Sequence, residues 1–182
     1  MKNKIKIGVI FGGRSGEHEV SLVSASSVIK ALDKKKYQII QIGIGKDGRW
    51  IFGNSAMTIL KNKKRFLNKT FKGVLPDPTI KSVADVFFPV LHGPFGEDGT
   101  IQGLFEMAGV PYVGSGVLGS AVGMDKIIQN QLFDKAGLKQ AKYFWFLGKG
   151  WPKSSASVKK QARELGYPVF VKPANLGSSV GI

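Results

Sequence analysis

The stretch IKIGVIFGGRSGEHEVSL (residues 5–22) decides how this chain is read. Residues 5–11 form an apolar run that stops abruptly at Gly12-Gly13, the pattern of a buried strand. Gly12, Gly13 and Gly16 then make a loop. Over residues 21–32, Leu22, Ala25, Val28, Ile29 and Leu32 recur at helical spacing, so this segment is an amphipathic helix. A strand, a glycine loop and a helix in that order open an α/β domain.

Downstream the alternation continues. Residues 37–44 read as a second strand, followed by a turn at Asp47-Gly48 and a hairpin return over 50–52. Residues 53–82 are polar and weakly patterned and receive no assignment. Residues 83–91 are a strong strand that ends at His92, and the loop HGPFGEDG (92–99) leads into a helix over 100–108 with Asp98 placed to cap it. Residues 110–113 form a short strand turned by Gly114-Ser115-Gly116. Residues 117–136 are helical with Gly137 as C-cap, 143–147 a strand, 154–165 a helix closed by Gly166, and 169–172 a strand entering the loop PANLGSSVGI (173–182). The pattern implies a mostly parallel sheet through about residue 120. Such sheets bind ligands in the crevice beyond the carboxyl ends of their strands, where the loops after Phe11 and Leu91 both fall.

Composition narrows the function class. Of 182 residues, 43% are hydrophobic and 21% charged, enough to bury a core. The absence of cysteine excludes a disulfide scaffold, a thiolate metal site and a cysteine nucleophile, and suits a cytoplasmic setting. Two histidines exclude a histidine-rich metal site. No apolar run is long enough to span a membrane, and the amino terminus reaches Gly-Gly too soon for a secretory leader.

The net charge of +15 is unevenly placed: residues 30–81 carry thirteen basic and three acidic groups. Phe66 and Phe71 interleave with lysines there, but no nucleic-acid-binding signature accompanies them. The expectation is a solvated lysine-rich surface, no nucleic-acid partner and no membrane. A basic binding fragment is the competing reading, to be tested by the salt dependence of binding.

Three loops are candidates to carry chemistry; a turn with a helix cap competes for the second and a flexible hairpin turn for the third. The first has the wrong glycine spacing for G-x-G-x-x-G, and Lys34-Lys35-Lys36 occupy the place of the ribose-binding acid, so it is no dinucleotide fingerprint. It carries Glu17-His18-Glu19 ahead of a helix, a set suited either to capping or to binding an ammonium group. The second packs His92, Glu97 and Asp98 among Gly93, Gly96 and Gly99, where a backbone can approach a ligand closely. In the third, Lys172 ends an apolar strand and Gly-Ser-Ser-Val-Gly (177–181) follows; amides and hydroxyls of such a loop can cradle phosphates.

Taken together, FGGRSGEHEVSLVSA (11–25), HGPFGEDGTIQGLFEMAGVPYVGSG (92–116), GMDK (123–126) and VFVKPANLGSSVGI (169–182) resemble the D-alanine–D-alanine ligase family of the ATP-grasp superfamily. The resemblance covers the whole chain in order, but only the amino-terminal half of the family pattern. It implies a Rossmann-like, parallel-sheet substrate-side domain over 1–122. The opening, incomplete part of an α+β ATP-grasp domain follows over 123–182. It also implies a reaction for peptidoglycan synthesis, hence cell-wall biogenesis and cell shape. ATP phosphorylates the carboxylate of one D-alanine, and the amino group of a second attacks the acyl phosphate.

By the same resemblance, Glu17 holds the first D-alanine's ammonium and His92 lies beside that substrate. Lys126 and Lys172 contact ATP, chiefly its phosphates. Ser178 is hydrogen-bonded with the glutamate in the site and, with Ser179, lies in the loop over the nucleotide. Glu97 and Asp98 are mainly structural. Glu17 and Ser178 are thus the candidate catalytic pair. Mg²⁺ or Mn²⁺ is expected, with acidic ligands beyond Ile182, so no metal ligand is expected in this chain. A homodimer is expected of the full-length family. The 182-residue polypeptide is expected to be inactive alone, and the second substrate, D-alanine, D-lactate or D-serine, is left open.

Overall fold

In the computed structural model, which describes residues 4–62 and 80–182, a four-stranded sheet has the order β3-β2-β1-β4. Its strands are β1 (Ile5–Gly12), β2 (Tyr37–Ile44), β3 (Trp50–Phe52) and β4 (Val86–Pro89). β1 is parallel to both β2 and β4, with Ile7 opposite Ile39 on one side and Val86 on the other. β3 returns antiparallel to β2 through the turn at Gly48, whose φ of 85° suits glycine. The chain leaves β1 toward β2 on one side and later adds β4 on the other, so β1 is the point where the strand order reverses.

The pleat of β1 explains the layers. Ile7, Val9 and Phe11 point to one face and pack with Leu22 and Ala25 of α1 (His18–Ala31) and with Ile59 and Leu60 of α2 (Ala56–Lys61). Ile10 points to the other face, with Ile42, Ile44 and Phe87, under Ile101 and Phe105. A short helix, α3 (Ile80–Val83), precedes β4, and α4 (Thr100–Ala108) carries Phe105 onto this second face. The Phe87 and Phe105 rings stack with centroids 5.4 Å apart, and both side chains are fully buried. These residues belong to a compact unit, Met1–Gly123.

The second unit, Met124–Ile182, is helical among its described residues. α5 (Val117–Met124) ends at its border, and α6 (Lys126–Lys135) and α7 (Trp151–Leu165) follow, with a 3₁₀ turn at Gly148–Gly150. α6 closes in a Schellman arrangement: Leu138 N–H bonds Phe133 C=O and Gly137 N–H bonds Asp134 C=O, with Gly137 at φ 72°.

Several sequence expectations are corrected. The single helix over 117–136 is two, because Asp125 adopts an extended conformation (φ −89°, ψ 103°) and its carboxylate caps the Ile127 and Ile128 amides. The helix expected from 21 begins at His18, and the one expected from 154 begins at Trp151 with a proline in its first turn. The strand expected over 83–91 is confined to Val86–Pro89. Val83 ends α3, and Pro89 has no amide to extend the ladder. Residues 110–113 make only a bridge, Tyr112 to Phe87. Residues 143–147 and 169–172 are not strands, since no ladder partner lies beside them among the described residues. The basic stretch from Lys61 to Lys72, with Phe66 and Phe71, falls largely outside the described residues.

Candidate functional site

Two loops meet at the carboxyl ends of β1 and β4. Their adjacency follows from the parallel pairing of those strands, which brings residues 13–17 beside 90–99. Ser21, fully buried on α1, joins the strand ends: it accepts the Gly12 amide at 2.8 Å and donates to the Val90 carbonyl. His18 is buried and its Nδ1 lies 2.8 Å from the Gly13 carbonyl, which fixes the glycine turn from below.

The three residues of the Glu17-His18-Glu19 set take different places. Glu17 sits at the start of α1 and is only 7% exposed, a carboxylate taken largely out of water. Glu19 points outward and pairs with Lys46 at 3.0 Å. That hydrogen bond from Lys46 is the main reason its carboxyl lies below the ordinary range. Of the two acids, Glu17 alone lies against the second loop. A Cβ on Gly93 would fall 2.4 Å from Glu17 Oε2, and Gly93 has φ 71°. Both the conformation and the close approach require glycine there.

His92 is held at one ring nitrogen, with a carboxylate farther off on the side of the other. Nε2 lies 3.1 Å from Ser24 Oγ on α1, and Nδ1 lies 4.0 Å from Glu97 Oε1. Glu97 also accepts the Gly93 amide at 2.7 Å. Asp98 accepts the Phe95 amide at 2.9 Å and the Thr100 amide at 3.0 Å. Burial pushes its carboxyl up, but the hydrogen bonds from Phe95 and Thr100 outweigh this and hold it below its ordinary value. The helix cap proper is Gly99, at φ 91°, with Asp98 bonding the first helical amide from one position earlier. The acidic pair therefore braces the loop that carries His92.

A cavity of about 510 Å³ opens beside this crevice, with His92, Arg14, Phe95 and Trp50 in its wall. Arg14 stands over the Phe95 ring, 5.2 Å from its centroid, a cation–π contact across the two loops. Arg14, Ser15 and Ser24 escaped sequence reasoning. Ser21 and Ser24 follow Glu17 at helical intervals of four and seven, one polar stripe under the loops, and that spacing was the available signal.

In the second unit, Lys126 is bound to the final loop twice: its amide donates to the Ala174 carbonyl at 3.0 Å and its ammonium to the Leu176 carbonyl. Asn175 donates to Asp125 at 3.1 Å. Lys172 is exposed, its ammonium 5.9 Å from the Phe170 ring centroid. Ser178 and Ser179 are exposed and occupy the left-handed region at φ 49° and 60°, a strained pair for residues with a Cβ. Lys126 opens α6 and Lys172 precedes the glycine loop that carries Ser178 and Ser179; ammonium and hydroxyl groups are donors of the kind phosphate oxygens accept. No cluster of three or more metal-ligating side chains occurs among the described residues. Among them, no helix is long and apolar enough to cross a membrane.

The family model described as D-Ala D-Ala ligase N-terminus matches residues 6–115, and the one described as D-Ala D-Ala ligase C-terminus matches 132–182. D-alanine–D-alanine ligase from Natranaerobius thermophilus is 47% identical over 98% of this chain and 52% of its own length. The same enzyme from Bacillus licheniformis is 48% identical over 98% of this chain and 53% of its own length. Among solved structures, the D-alanine–D-alanine ligase from Coxiella burnetii is similar with TM-score 0.82 and 30% identity, covering 97% of this chain and 55% of its own. The VanG D-Ala:D-Ser ligase from Enterococcus faecalis is similar with TM-score 0.79 and 38% identity, covering 98% and 55%. The chain thus spans about half the length of the curated relatives it matches.

Proposed function

We propose, from the premise that the chain belongs to the D-alanine–D-alanine ligase family, that it contributes the substrate side and part of the nucleotide site of an ATP-dependent ligase joining two D-alanines. Residues 1–122 are read as the substrate-side domain and 123–182 as the opening of the ATP-grasp domain. The observation that carries this reading is the buried Glu17 carboxylate set against Gly93, with His92 anchored alongside. A buried carboxylate gains most from a cation, and the ammonium of an amino acid is one of matching size.

Glu17 holds the ammonium of the first D-alanine and thereby orients its carboxylate. His92, set by Ser24, lies beside that substrate. Lys126 and Lys172 offset the phosphate charge of ATP, with Ser178 and Ser179 donating hydroxyls to the same end of the nucleotide. Such a condensation depends on placing two substrates in register and on neutralising charge at the transferred phosphoryl group. Mg²⁺ or Mn²⁺, when bound, would supply further neutralisation. A cytoplasmic homodimer is the assembly this reading carries.

The test is a fusion of residues 1–182 to the remaining portion of the Bacillus licheniformis relative. One D-alanyl-D-alanine and one phosphate should form per ATP consumed. A folded, ATP-binding fusion that makes no dipeptide refutes the reading. A second reading follows from the likeness to the D-Ala:D-Ser ligase: the second substrate is D-serine. Fusions of 1–182 to the remaining portions of the Bacillus licheniformis and Enterococcus faecalis relatives, each offered D-alanine, D-serine and D-lactate, test it: a preference set by residues 1–182 is the same in both.

A further inference from the structure

We propose that Ser15 is a positioning residue that ties the backbone carrying Glu17 to the backbone carrying His92. Its Oγ donates to the His92 carbonyl at 2.6 Å and accepts the Glu17 amide at 3.2 Å. One hydroxyl therefore spans 77 residues of sequence and fixes both candidate substrate residues with respect to one another. Ser15 is 8% exposed, so water does not substitute readily for either bond. Its Cβ lies 3.4 Å from the position a Cβ on Gly93 would take, so the tether sits beside the contact of Glu17 with Gly93.

The other links between the two loops do not replace it. Ser21 joins the strand ends one step below, at Gly12 and Val90. Ser24 holds the His92 ring and leaves the backbone alone. Arg14 and Phe95 meet at the rim, through an exposed side chain on each. Ser15 alone among these acts on the main chain of both residues. Losing it leaves the fold in place and loosens the distance between Glu17 and His92.

The functional part of this assignment rests on the reading that the two residues hold D-alanine, so the test has two arms. In the 182-residue chain, Ser15→Ala should speed exchange of the Glu17 amide hydrogen by roughly tenfold or more, since its acceptor is gone. Amides of β1 should be unchanged. Equal Glu17 exchange in both proteins overturns the tether, whatever the chain's activity. In the fusion enzyme, Ser15→Ala should raise KM for D-alanine by roughly tenfold with KM for ATP within about twofold. Ser26→Ala serves as control: Ser26 bonds the Leu22 carbonyl within α1 and reaches neither loop, so it should leave both constants in place. Matching effects of the two variants, or equal shifts in both KM values, overturn the positioning role. An unsubstituted fusion that makes no dipeptide removes the functional reading, and the tether is then decided by the exchange arm.

Discussion

Replacing Gly93 by alanine should harm function more than stability, and the reason lies in what the new methyl group meets. The added Cβ falls 2.4 Å from Glu17 Oε2, whereas ordinary contact begins near 3.4 Å. The conflict is with the end of a side chain, so it resolves by moving the carboxylate about 1 Å rather than by breaking the backbone. The conformational part is separate. Gly93 has φ 71°, and an L-residue with a Cβ in the left-handed region costs about 1–2 kcal/mol. For a unit of this size that lowers the unfolding midpoint by about 3–10 °C.

The functional part is larger, because a displacement near 1 Å at a substrate-positioning group can cost about 10²-fold. Gly93→Ala should therefore lower kcat/KM for D-alanine about 10²-fold in the fusion enzyme while the protein stays folded. In a Glu17→Ala background the same substitution should cost little further activity, since no carboxylate remains to displace. A Gly93→Ala enzyme that keeps kcat/KM within about twofold contradicts this displacement. The same fractional loss in both backgrounds contradicts it equally.

Three further predictions follow from the packing and the charges. Phe105→Ala removes a fully buried ring stacked on Phe87 and should destabilise the first unit by about 3–5 kcal/mol in denaturant titration; a loss under about 1 kcal/mol would contradict the packing. Asp98 is held below its ordinary value of 3.8 in the fold, so its stabilising contribution is full above that value and is lost as pH falls through the lower, folded one. The stability gap between wild type and Asp98→Asn should accordingly be constant near neutrality and close below about pH 4; a gap unchanged down to about pH 2 would be against it. Asp125→Ala removes the α6 cap and the Asn175 contact together, so it should cost about 0.5–2 kcal/mol in the second unit and raise KM for ATP in the fusion enzyme. An unchanged KM for ATP would show that this anchor does not set the loop.

The parallel sheet was legible because β1 and β2 are rich in isoleucine, end at glycines and are separated by a helical pattern. The two site loops were legible for the same reason: they follow from the strand ends. Helix boundaries were not. Asp125 interrupts a continuous apolar periodicity by capping forward, an event that depends on ψ at one residue. The segments over 143–147 and 169–172 have strand composition, but a strand exists only with a partner, and composition does not show whether one is adjacent. Within the site, Glu17 and His92 stood out by residue type. Ser15 did not, because a serine beside glycines reads as a turn; its role comes from a carbonyl 77 residues away. Separating Glu17 from Glu19 likewise required the helix phase, which turns one inward and the other to Lys46.

In the proposed function, the crevice between the β1 and β4 loops takes the first D-alanine by its ammonium. A crystal structure of the fusion enzyme with D-alanine and a non-hydrolysable ATP analogue tests it most directly. The ammonium is expected within about 3 Å of the Glu17 carboxylate, beside His92. D-alanine bound in this chain's portion with its ammonium on other groups, and Glu17 facing no ligand, would contradict it.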